Sequence, residues 1–192
     1  MGCYLLIKRL LDIYFSIFLL IMTFIPFLIY TLFFYWFEKG PIIHWSRRIG
    51  FRGKLFTMPK VRTMILDCPQ VATHLLNDSN KYYTRFGRIL RKSSFDELPQ
   101  LVMILIGKMS FIGPRPALFN QFDLIKLRND KGINDVLPGV TGWAQVNGRD
   151  NISIKKKVDF DEYYVKNCSF KLDMKIIFLT FWQVIFVKDV SH

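Results

Sequence analysis

An uncharged, strongly apolar segment near the N-terminus is the feature that most restricts what this chain can fold into. From Ile13 to Phe37 the sequence contains 25 residues without a charge. At about 1.5 Å of rise per residue, a helix of this length can cross a bilayer core, which is roughly 30 Å thick. The run is too long for a secretory signal peptide, and no small-residue cleavage site follows it. The sequence therefore predicts a membrane-associated helix.

Two features favour a re-entrant helix over a simple membrane-spanning one. Pro26 lies at the middle of the run, where it removes a backbone hydrogen bond and kinks a helix. Both flanks of the run are basic, and positive charge marks the cytoplasmic side of a membrane. The flanking cations are Lys8, Arg9, Lys39, Arg47, Arg48, Arg52 and Lys54. We therefore expect a helix that enters the membrane, bends near Pro26 and returns, with a single pass as the alternative.

Composition narrows the class of partner. The formal net charge is +12, which indicates an anionic partner such as a membrane surface, a nucleic acid or a phosphorylated small molecule. Hydrophobic residues make up 51% of the chain, which is unusual for a soluble nucleic-acid binder and favours a membrane interface. The three cysteines, Cys3, Cys68 and Cys168, form no CxxC motif, and the three histidines are scattered. The sequence therefore predicts neither a disulfide framework nor a zinc site.

The remaining sequence predicts an α+β fold that is mostly helical. Short alternating stretches within residues 42–64 are typical of a small β-hairpin that turns near Arg52 and Gly53. The expected helices cover residues 69–92, 98–106, 117–130 and 153–166. An apolar segment at 176–187 is too short to span a bilayer, so we expect a core helix or an interfacial one. We divide the chain into a membrane segment, residues 1–40, and a cytoplasmic interfacial domain, residues 41–192.

Two adjacent carboxylates, Asp96 and Glu97, stand before an apolar run in the stretch SFDELPQ. One interpretation is structural: Ser94 begins a capping box, with acids favoured in the first helical turn. A helix that begins near Pro99 suits proline better, however, and leaves both acids in the preceding turn. The other interpretation is phosphate chemistry, because a carboxylate can attack phosphorus and a second one can help to hold Mg²⁺.

Cations near the acidic pair agree with phosphate chemistry. Arg115 is boxed between Pro114 and Pro116, which stiffen the backbone around it, and arginine binds phosphate oxygens in a bidentate manner. A stretch without acidic residues leads up to the pair and carries Lys81, Arg85, Arg88, Arg91 and Lys92. This stretch is either a solvated helix face or part of a phosphate site, and the sequence favours neither.

Seven sequence blocks, in order and spacing, resemble a known family. They are RIG (48–50), KVRTM (60–64), TRFGR (84–88), DELPQL (96–101), MSFIGPRP (109–116), PGVTGWAQVNGR (138–149) and Asp161 before Tyr163 and Tyr164. In these blocks the chain is similar, nearly from end to end, to the bacterial polyprenyl-phosphate phosphoglycosyl transferases of the small monotopic type, also called bacterial sugar transferases. The family resemblance implies a re-entrant helix broken at a proline. The sequence itself adds the expectation of interfacial amphipathic helices, as at residues 117–130.

The resemblance also implies an activity. The enzyme would move a phospho-sugar from a UDP-sugar to polyprenyl (undecaprenyl) phosphate at the cytoplasmic face of the bacterial inner membrane, releasing UMP. Asp96 matches the nucleophile that carries the phospho-sugar covalently. Glu97 matches its partner, which assists at a Mg²⁺ site formed by both acids, with handling of the acceptor proton as a further role. Positions interpreted as substrate phosphate-binding residues are Lys60, Arg91, Arg115 and Asp161, with a structural salt bridge as the alternative for Asp161. Membrane lipid and downstream membrane-associated glycosyltransferases are further expected partners, and nucleic acid is not.

Three positions depart from the family pattern. Ile25 precedes Pro26 where the family usually has serine, Pro59 replaces a tyrosine, and Lys108 replaces an aspartate. None of them touches the acidic pair. Two other functions stay open at this point: transfer of a bare sugar, which would release UDP, and a non-catalytic basic scaffold on the membrane.

Overall fold

The computed structural model describes residues 2–38, 40–69, 79–148 and 152–186, which form a mostly helical α+β fold. The helices are α1 (Gly2–Phe37), α2 (Gly87–Lys92), α3 (Gln100–Leu105), α4 (Phe122–Asp130), α5 (Trp143–Val146), α6 (Ile154–Lys166) and α7 (Phe170–Phe186). The strands are β1 (Ile43–Ile49), β2 (Leu55–Val61), β3 (Ser110–Ile112) and β4 (Gly139–Thr141). They pair as two separate two-stranded sheets. The predicted class, mostly helical with a small hairpin, is confirmed.

The apolar run Ile13–Phe37 lies within α1, which is 36 residues long and contains Pro26. From Tyr4 to Phe37 this helix is long and apolar enough to cross a membrane. The break predicted near Pro26 does not interrupt the helix, because a proline removes one hydrogen bond and a helix can bend there without ending. Most large apolar side chains of α1 are exposed, whereas Asp12, Ser16 and Phe34 are buried. One face of α1 therefore packs against the rest of the protein.

The N-terminal half of α1 is held by polar contacts to α3 and β3. Arg9 donates to the backbone carbonyls of Ile104 and Leu105, at 2.6 and 2.8 Å. Oδ1 of Asp12 accepts a hydrogen bond from the backbone N–H of Phe111, at 3.2 Å. These contacts fix the start of α1 beside the strand that leads to Arg115.

The other end of α1 is held by a different part of the same fold. The ring of Phe34 lies 5.0 Å from the guanidinium of Arg62, just after β2. Oε1 of Glu38, the residue after α1, accepts a hydrogen bond from the backbone N–H of Arg85 at 2.9 Å. Both ends of this helix therefore contact the folded region that follows it.

The hairpin of β1 and β2 is antiparallel, and Ser46 lies opposite Met58 while His44 lies opposite Lys60. Side chains two residues apart on a strand point to the same face. Met58 is buried in a core with Leu101 of α3, so this face looks inward. Lys60, two residues further along, is therefore directed toward α3 and the turn before it.

The second sheet positions the loop that carries Arg115. Strands β3 and β4 are parallel, a pairing that was not predicted, and β4 and α5 lie outside the segments predicted as strands or helices. A Cβ atom on Gly139 would lie 2.1 Å from the backbone nitrogen of Gly113, so the two chains approach closely only because this residue is glycine. The close approach fixes the backbone at the start of the Pro114–Pro116 loop.

Helix lengths differ from expectation at several places. The helix predicted at 153–166 agrees with α6, whereas those predicted at 98–106 and 117–130 are the shorter α3 and α4. Of the stretch predicted at 69–92, the described residues contain a 3₁₀ turn at Ser79–Tyr82 and α2, and residues 70–78 lie outside the described part. Helix α7 buries Ile176 and exposes Phe178, Phe181 and Trp182, so it is a core helix on one face only.

Candidate active site

The acidic pair lies in a 3₁₀ turn, Phe95–Glu97, between α2 and α3. Pro99 is the N-cap of α3, in agreement with the later helix start. The capping-box interpretation is wrong, because Ser94 has left-handed backbone angles (φ 57°, ψ 16°) and its side chain caps nothing. Left-handed geometry is uncommon for residues other than glycine. It turns the chain sharply, and Asp96 is left buried, with 5% of its surface exposed.

Glu97 joins three separate elements of the fold. Its Oε1 accepts from Nζ of Lys60 in β2 at 2.8 Å and from a guanidinium nitrogen of Arg115 at 2.6 Å. The same guanidinium donates to the backbone carbonyl of Val140 in β4, at 3.0 Å. The structure thus brings four predicted residues together: Asp96, Glu97, Lys60 and Arg115.

The two acids have different partners. Nζ of Lys60 lies 3.9 Å from Oδ2 of Asp96, beyond hydrogen-bonding distance, and bonds to Glu97 instead. Burial raises the pKa of Asp96, and the charge on Glu97 adds to the shift, although Lys60 opposes it. Burial also works against ionisation of Glu97, but Arg115 and Lys60 outweigh it and hold the pKa of Glu97 below its ordinary range. Glu97 is therefore an ion-paired anchor, whereas Asp96 keeps a poorly neutralised carboxylate.

Arg91 approaches the pair from α2. Its Nε donates to the hydroxyl of Thr63 at 3.1 Å, and its guanidinium stacks over the ring of Tyr83 at 5.4 Å. The charge of Arg91 opposes the rise in the pKa of Asp96, which follows from their proximity. Thr63 and Tyr83 were not singled out in the sequence, since their role depends on a contact that only the folded chain makes.

Asp161 is the predicted site residue that the structure does not bring to the acidic pair. It is 1% exposed and accepts from Nε and a terminal nitrogen of Arg128, at 3.0 and 2.5 Å. Another nitrogen of Arg128 donates to the backbone carbonyl of Arg115 at 2.7 Å. The position of Asp161 therefore fits the alternative interpretation, a structural salt-bridge partner. Asp161 is linked to the site through Arg128, which bonds to the carbonyl of Arg115.

Arg128 was missed in the sequence, although a signal for it exists. It follows Leu124 by four residues on α4, and both side chains are buried. Residues four apart share a helix face. An arginine on the apolar face of an amphipathic helix requires an acidic partner, because an unpaired buried charge is costly.

The acidic pair could hold Mg²⁺ together with the phosphates of a bound substrate. In the described part of the chain, no group of three or more histidine, cysteine or acidic side chains is placed to hold a metal ion. Mg²⁺ is commonly held by one or two carboxylates together with substrate phosphates, so two acids are sufficient. Both cations on Glu97 contact Oε1, and neither contact uses Oε2. Oε2 of Glu97 and the Asp96 carboxylate are the oxygens that fit such an ion.

The arrangement has the parts that phosphoryl transfer requires. Asp96 is a buried carboxylate of raised pKa, Lys60 and Arg115 are cations held in fixed positions, and the charge of Arg91 also acts on Asp96. Cations that are held in place before substrate binds stabilise developing phosphate charge without reorganisation. The site therefore has a candidate nucleophile and the positive charge to bring an anionic substrate to it.

Comparison with known proteins agrees with this chemistry. The sequence pattern of the family described as "Bacterial sugar transferase" matches residues 3–187. An uncharacterized sugar transferase, EpsL, of Bacillus subtilis (strain 168) is 41% identical over 188 residues, covering 97% of this chain and 91% of that protein.

Two relatives carry more specific names. Undecaprenyl-phosphate galactose phosphotransferase of Salmonella typhimurium is 36% identical, covering 91% of this chain and 39% of that protein. UDP-N-acetylgalactosamine-undecaprenyl-phosphate N-acetylgalactosaminephosphotransferase of Aeromonas hydrophila is 37% identical, covering 74% of this chain and 35% of that protein. The chain thus spans nearly all of the Bacillus protein but less than half the length of these two. It belongs to the bacterial sugar transferase family and is a transferase.

Proposed function

We propose that this protein transfers a sugar phosphate from a UDP-sugar to undecaprenyl phosphate, or another polyprenyl phosphate, and releases UMP. Family membership and the names of the Salmonella and Aeromonas relatives support the reaction class. One observation carries the assignment of roles. Glu97 is ion-paired to Lys60 and Arg115, whereas its neighbour Asp96 is buried with a raised pKa. The less neutralised carboxylate is the better nucleophile, so Asp96 attacks and Glu97 organises.

The first half-reaction forms a covalent intermediate. An oxygen of Asp96 attacks the β-phosphorus of the UDP-sugar, and the bond from that phosphorus to the bridging oxygen breaks. UMP leaves with the bridging oxygen, and the sugar phosphate stays on Asp96 as an acyl phosphate. Phosphate repels an incoming carboxylate, and Lys60, Arg91 and Arg115 offset this repulsion by neutralising phosphate oxygens.

The second half-reaction regenerates the enzyme. A phosphate oxygen of the polyprenyl phosphate attacks the same phosphorus, and the bond to Asp96 breaks to give the lipid-linked sugar diphosphate and a free carboxylate. UMP has left by then, so the cations that held the donor phosphates are available for the acceptor phosphate. Ping-pong kinetics follow from this order of events.

A magnesium ion, when bound, would neutralise charge on the donor diphosphate. Asp96 and Oε2 of Glu97 would hold it with the substrate. The residues of this chain keep the rest of the positive charge in place: Lys60 by its bond to Glu97, and Arg115 by its bonds to Glu97 and Val140.

We also propose where the reaction occurs. Residues 1–40 form a re-entrant membrane segment in the inner membrane, and residues 41–192 form the catalytic domain on its cytoplasmic face. The contacts of both ends of α1 with one folded region support a re-entrant arrangement. A soluble nucleotide sugar and a lipid phosphate meet only at the headgroup layer, and the acidic pair lies just before α3, which packs against α1.

The test uses the purified chain of 192 residues with the UDP-sugar donor alone. Wild-type protein incubated with a UDP-sugar is expected to release UMP in a burst and to gain the mass of one sugar phosphate. Asp96→Asn removes the nucleophile, so the adduct should be absent and turnover with lipid should fall by at least about 10³-fold. Asp159→Asn is the matched control, because Asp159 is an exposed aspartate on α6 that pairs with Lys131.

The outcomes separate the proposal from its rivals. Release of UDP instead of UMP would identify transfer of a bare sugar. Full turnover by Asp96→Asn would show that this carboxylate is not the nucleophile. Absence of any nucleotide product across a panel of UDP-sugars would favour a non-catalytic scaffold.

A further inference from the structure

A row of cations connects the end of the membrane helix with the acidic pair. Arg85, Arg88 and Arg91, which we call the arginine track, follow one another at intervals of three residues and precede Asp96. No acidic residue occurs between positions 79 and 95. Only Arg91 has a role in the transfer steps described above, so Arg85 and Arg88 remain to be explained.

The track begins at the C-terminal end of α1. The Arg85 guanidinium lies 5.4 Å from the ring centre of Phe37, the last residue of α1, and Phe37 contacts Phe86 edge-on at 6.5 Å. The backbone N–H of Arg85 donates to Glu38, so the chain itself is fixed here.

Aromatic rings also support the middle and the end of the track. The guanidinium groups of Arg88 and Arg91 lie 6.0 and 5.4 Å from the centre of the same ring, that of Tyr83. A guanidinium stacked on a ring keeps its positive charge, and the ring limits its motion. Arg85 and Arg88 are both exposed, so each can meet a ligand from outside.

The exposed side chains near the first two arginines are of the kinds that suit a membrane surface. Tyr35 and Trp36, at the end of α1, are each 82% exposed, and Ile89, beside Arg88, is 66% exposed. Tyrosine and tryptophan are enriched where a membrane meets water, and arginine beside apolar groups binds anionic headgroups there. The UDP-sugar is soluble and reaches the site from water, so it does not need such a surface. A lipid phosphate lies at the membrane and does need one.

We propose that Arg85 and Arg88 bind the phosphate of the polyprenyl phosphate acceptor and pass it along the track to Arg91 and Asp96. This inference rests on the proposed transfer reaction and assigns the acceptor side of the same site. The ligand is a phosphate monoester on a lipid, held by stacked guanidinium groups while its apolar chain stays beside the end of α1.

The experiment separates the two half-reactions in a neutral detergent. Arg85→Gln, Arg88→Gln and the double variant should form the adduct and release UMP from donor alone at the wild-type rate. Discharge of the adduct by polyprenyl phosphate should require about tenfold more lipid for each single variant and more for the double, as expected for loss of a charge-assisted contact. Arg88→Lys should restore part of the loss.

Arg47→Gln is the matched control. Arg47 is also an exposed arginine stacked on an aromatic ring, that of Phe119 at 4.8 Å. It lies on β1 one residue from Ser46 and Arg48, so it points to the face opposite Lys60. Its lipid dependence should equal that of the wild type.

Each outcome has a distinct meaning. An unchanged lipid requirement in the double variant, with normal adduct formation, overturns the inference and leaves the transfer reaction intact. Failure of wild-type protein to form any adduct overturns the proposed reaction instead. If the variants discharge the adduct normally in detergent and lose only their binding to phosphatidylglycerol vesicles, the arginines serve bulk anionic lipid, and the acceptor assignment is wrong.

Discussion

Two neighbouring carboxylates, Asp96 and Glu97, have pKa shifts of opposite sign because their surroundings differ. Burial opposes ionisation of both, but Arg115 and Lys60 both bond to Glu97 and reverse the effect there. Asp96 receives no such bond from Lys60, which lies 3.9 Å away. In the proposed reaction, Glu97 is the anchor that keeps the cations in place, and its neighbour Asp96 is the carboxylate that reacts.

The anchoring role predicts a pH-dependent effect of Arg115→Gln. The folded-state pKa of Glu97 lies below the unfolded value of about 4.3, so ionised Glu97 adds stability above that value, and this stability is lost as pH falls through the folded pKa. Removing Arg115 raises the pKa of Glu97 in the folded state, so ionised Glu97 contributes less to the free energy of unfolding and less is lost at low pH. The variant should therefore melt below the wild type at pH 7, and the difference should narrow toward pH 3.

Thermal melting of both proteins from pH 3 to pH 8 measures this effect without any substrate. Arg115→Lys is the control, because it keeps the charge and should retain most of the wild-type pH dependence. A difference in melting temperature that is constant across this range would mean that Arg115 stabilises the fold by packing and not through Glu97.

Between elements, a buried ion pair behind the site joins α4 to α6. Arg128 is 3% exposed, pairs with Asp161 and also bonds to the backbone carbonyl of Arg115. Asp161→Ala would leave an unpaired buried charge and is expected to cost about 3–5 kcal/mol. The double variant Arg128→Met, Asp161→Leu should recover most of that loss, because apolar side chains of similar volume often replace a buried pair without cost.

An activity measurement on these variants shows whether Arg128 positions Arg115 or only stabilises the fold. The double variant lacks the bond from Arg128 to the carbonyl of Arg115, so kcat/KM for UMP release should stay below that of the wild type even when the melting temperature recovers. Full activity in the double variant would show that the pair only stabilises the contact between α4 and α6. Chemical denaturation and a UMP-release assay together provide the two measurements.

Elements that depend on local sequence patterns were predicted, whereas elements that depend on distant contacts were not. The apolar run of α1, the hairpin turn at Arg52 and Gly53 and the start of α3 at Pro99 depend on local patterns, and each was predicted. The parallel pair β3 and β4 was not, because strands of three residues have no readable alternation.

At the candidate site the same limit applies. Lys60 and Arg115 were singled out by residue type and motif. Their shared bond to Glu97 could not be predicted, because it joins residues that are 37 and 18 positions apart in the sequence. The pairing of Asp161 with Arg128 spans 33 residues and could not be read from spacing alone. The left-handed backbone of Ser94 departs from the local preference of serine, and it directly precedes the turn that carries the acidic pair.

For the whole molecule, the contacts of α1 restrict how it can sit in a membrane. A helix of 36 residues is roughly 54 Å long, well beyond a hydrocarbon core of about 30 Å. In a straight single pass its two ends would lie on opposite sides of the bilayer. Arg9 and Asp12 near one end, and Phe34 near the other, nevertheless contact one folded region. The proposed re-entrant path would remove this conflict, because a helix that bends at Pro26 returns to the side from which it entered.

The re-entrant arrangement predicts that both ends of α1 react from the same side. The chain has three cysteines, so Cys68→Ser with Cys168→Ser leaves Cys3 as a probe near the N-terminus. A second protein without native cysteines carries Pro41→Cys, just after α1. In inside-out membrane vesicles a membrane-impermeant maleimide should label both probes, and in right-side-out vesicles it should label neither until detergent is added. Lys126→Cys, on an exposed position of α4, reports the side of the folded domain. Labelling of Cys3 and position 41 from opposite sides would establish a single pass and would require the contacts at one end of α1 to separate in the membrane.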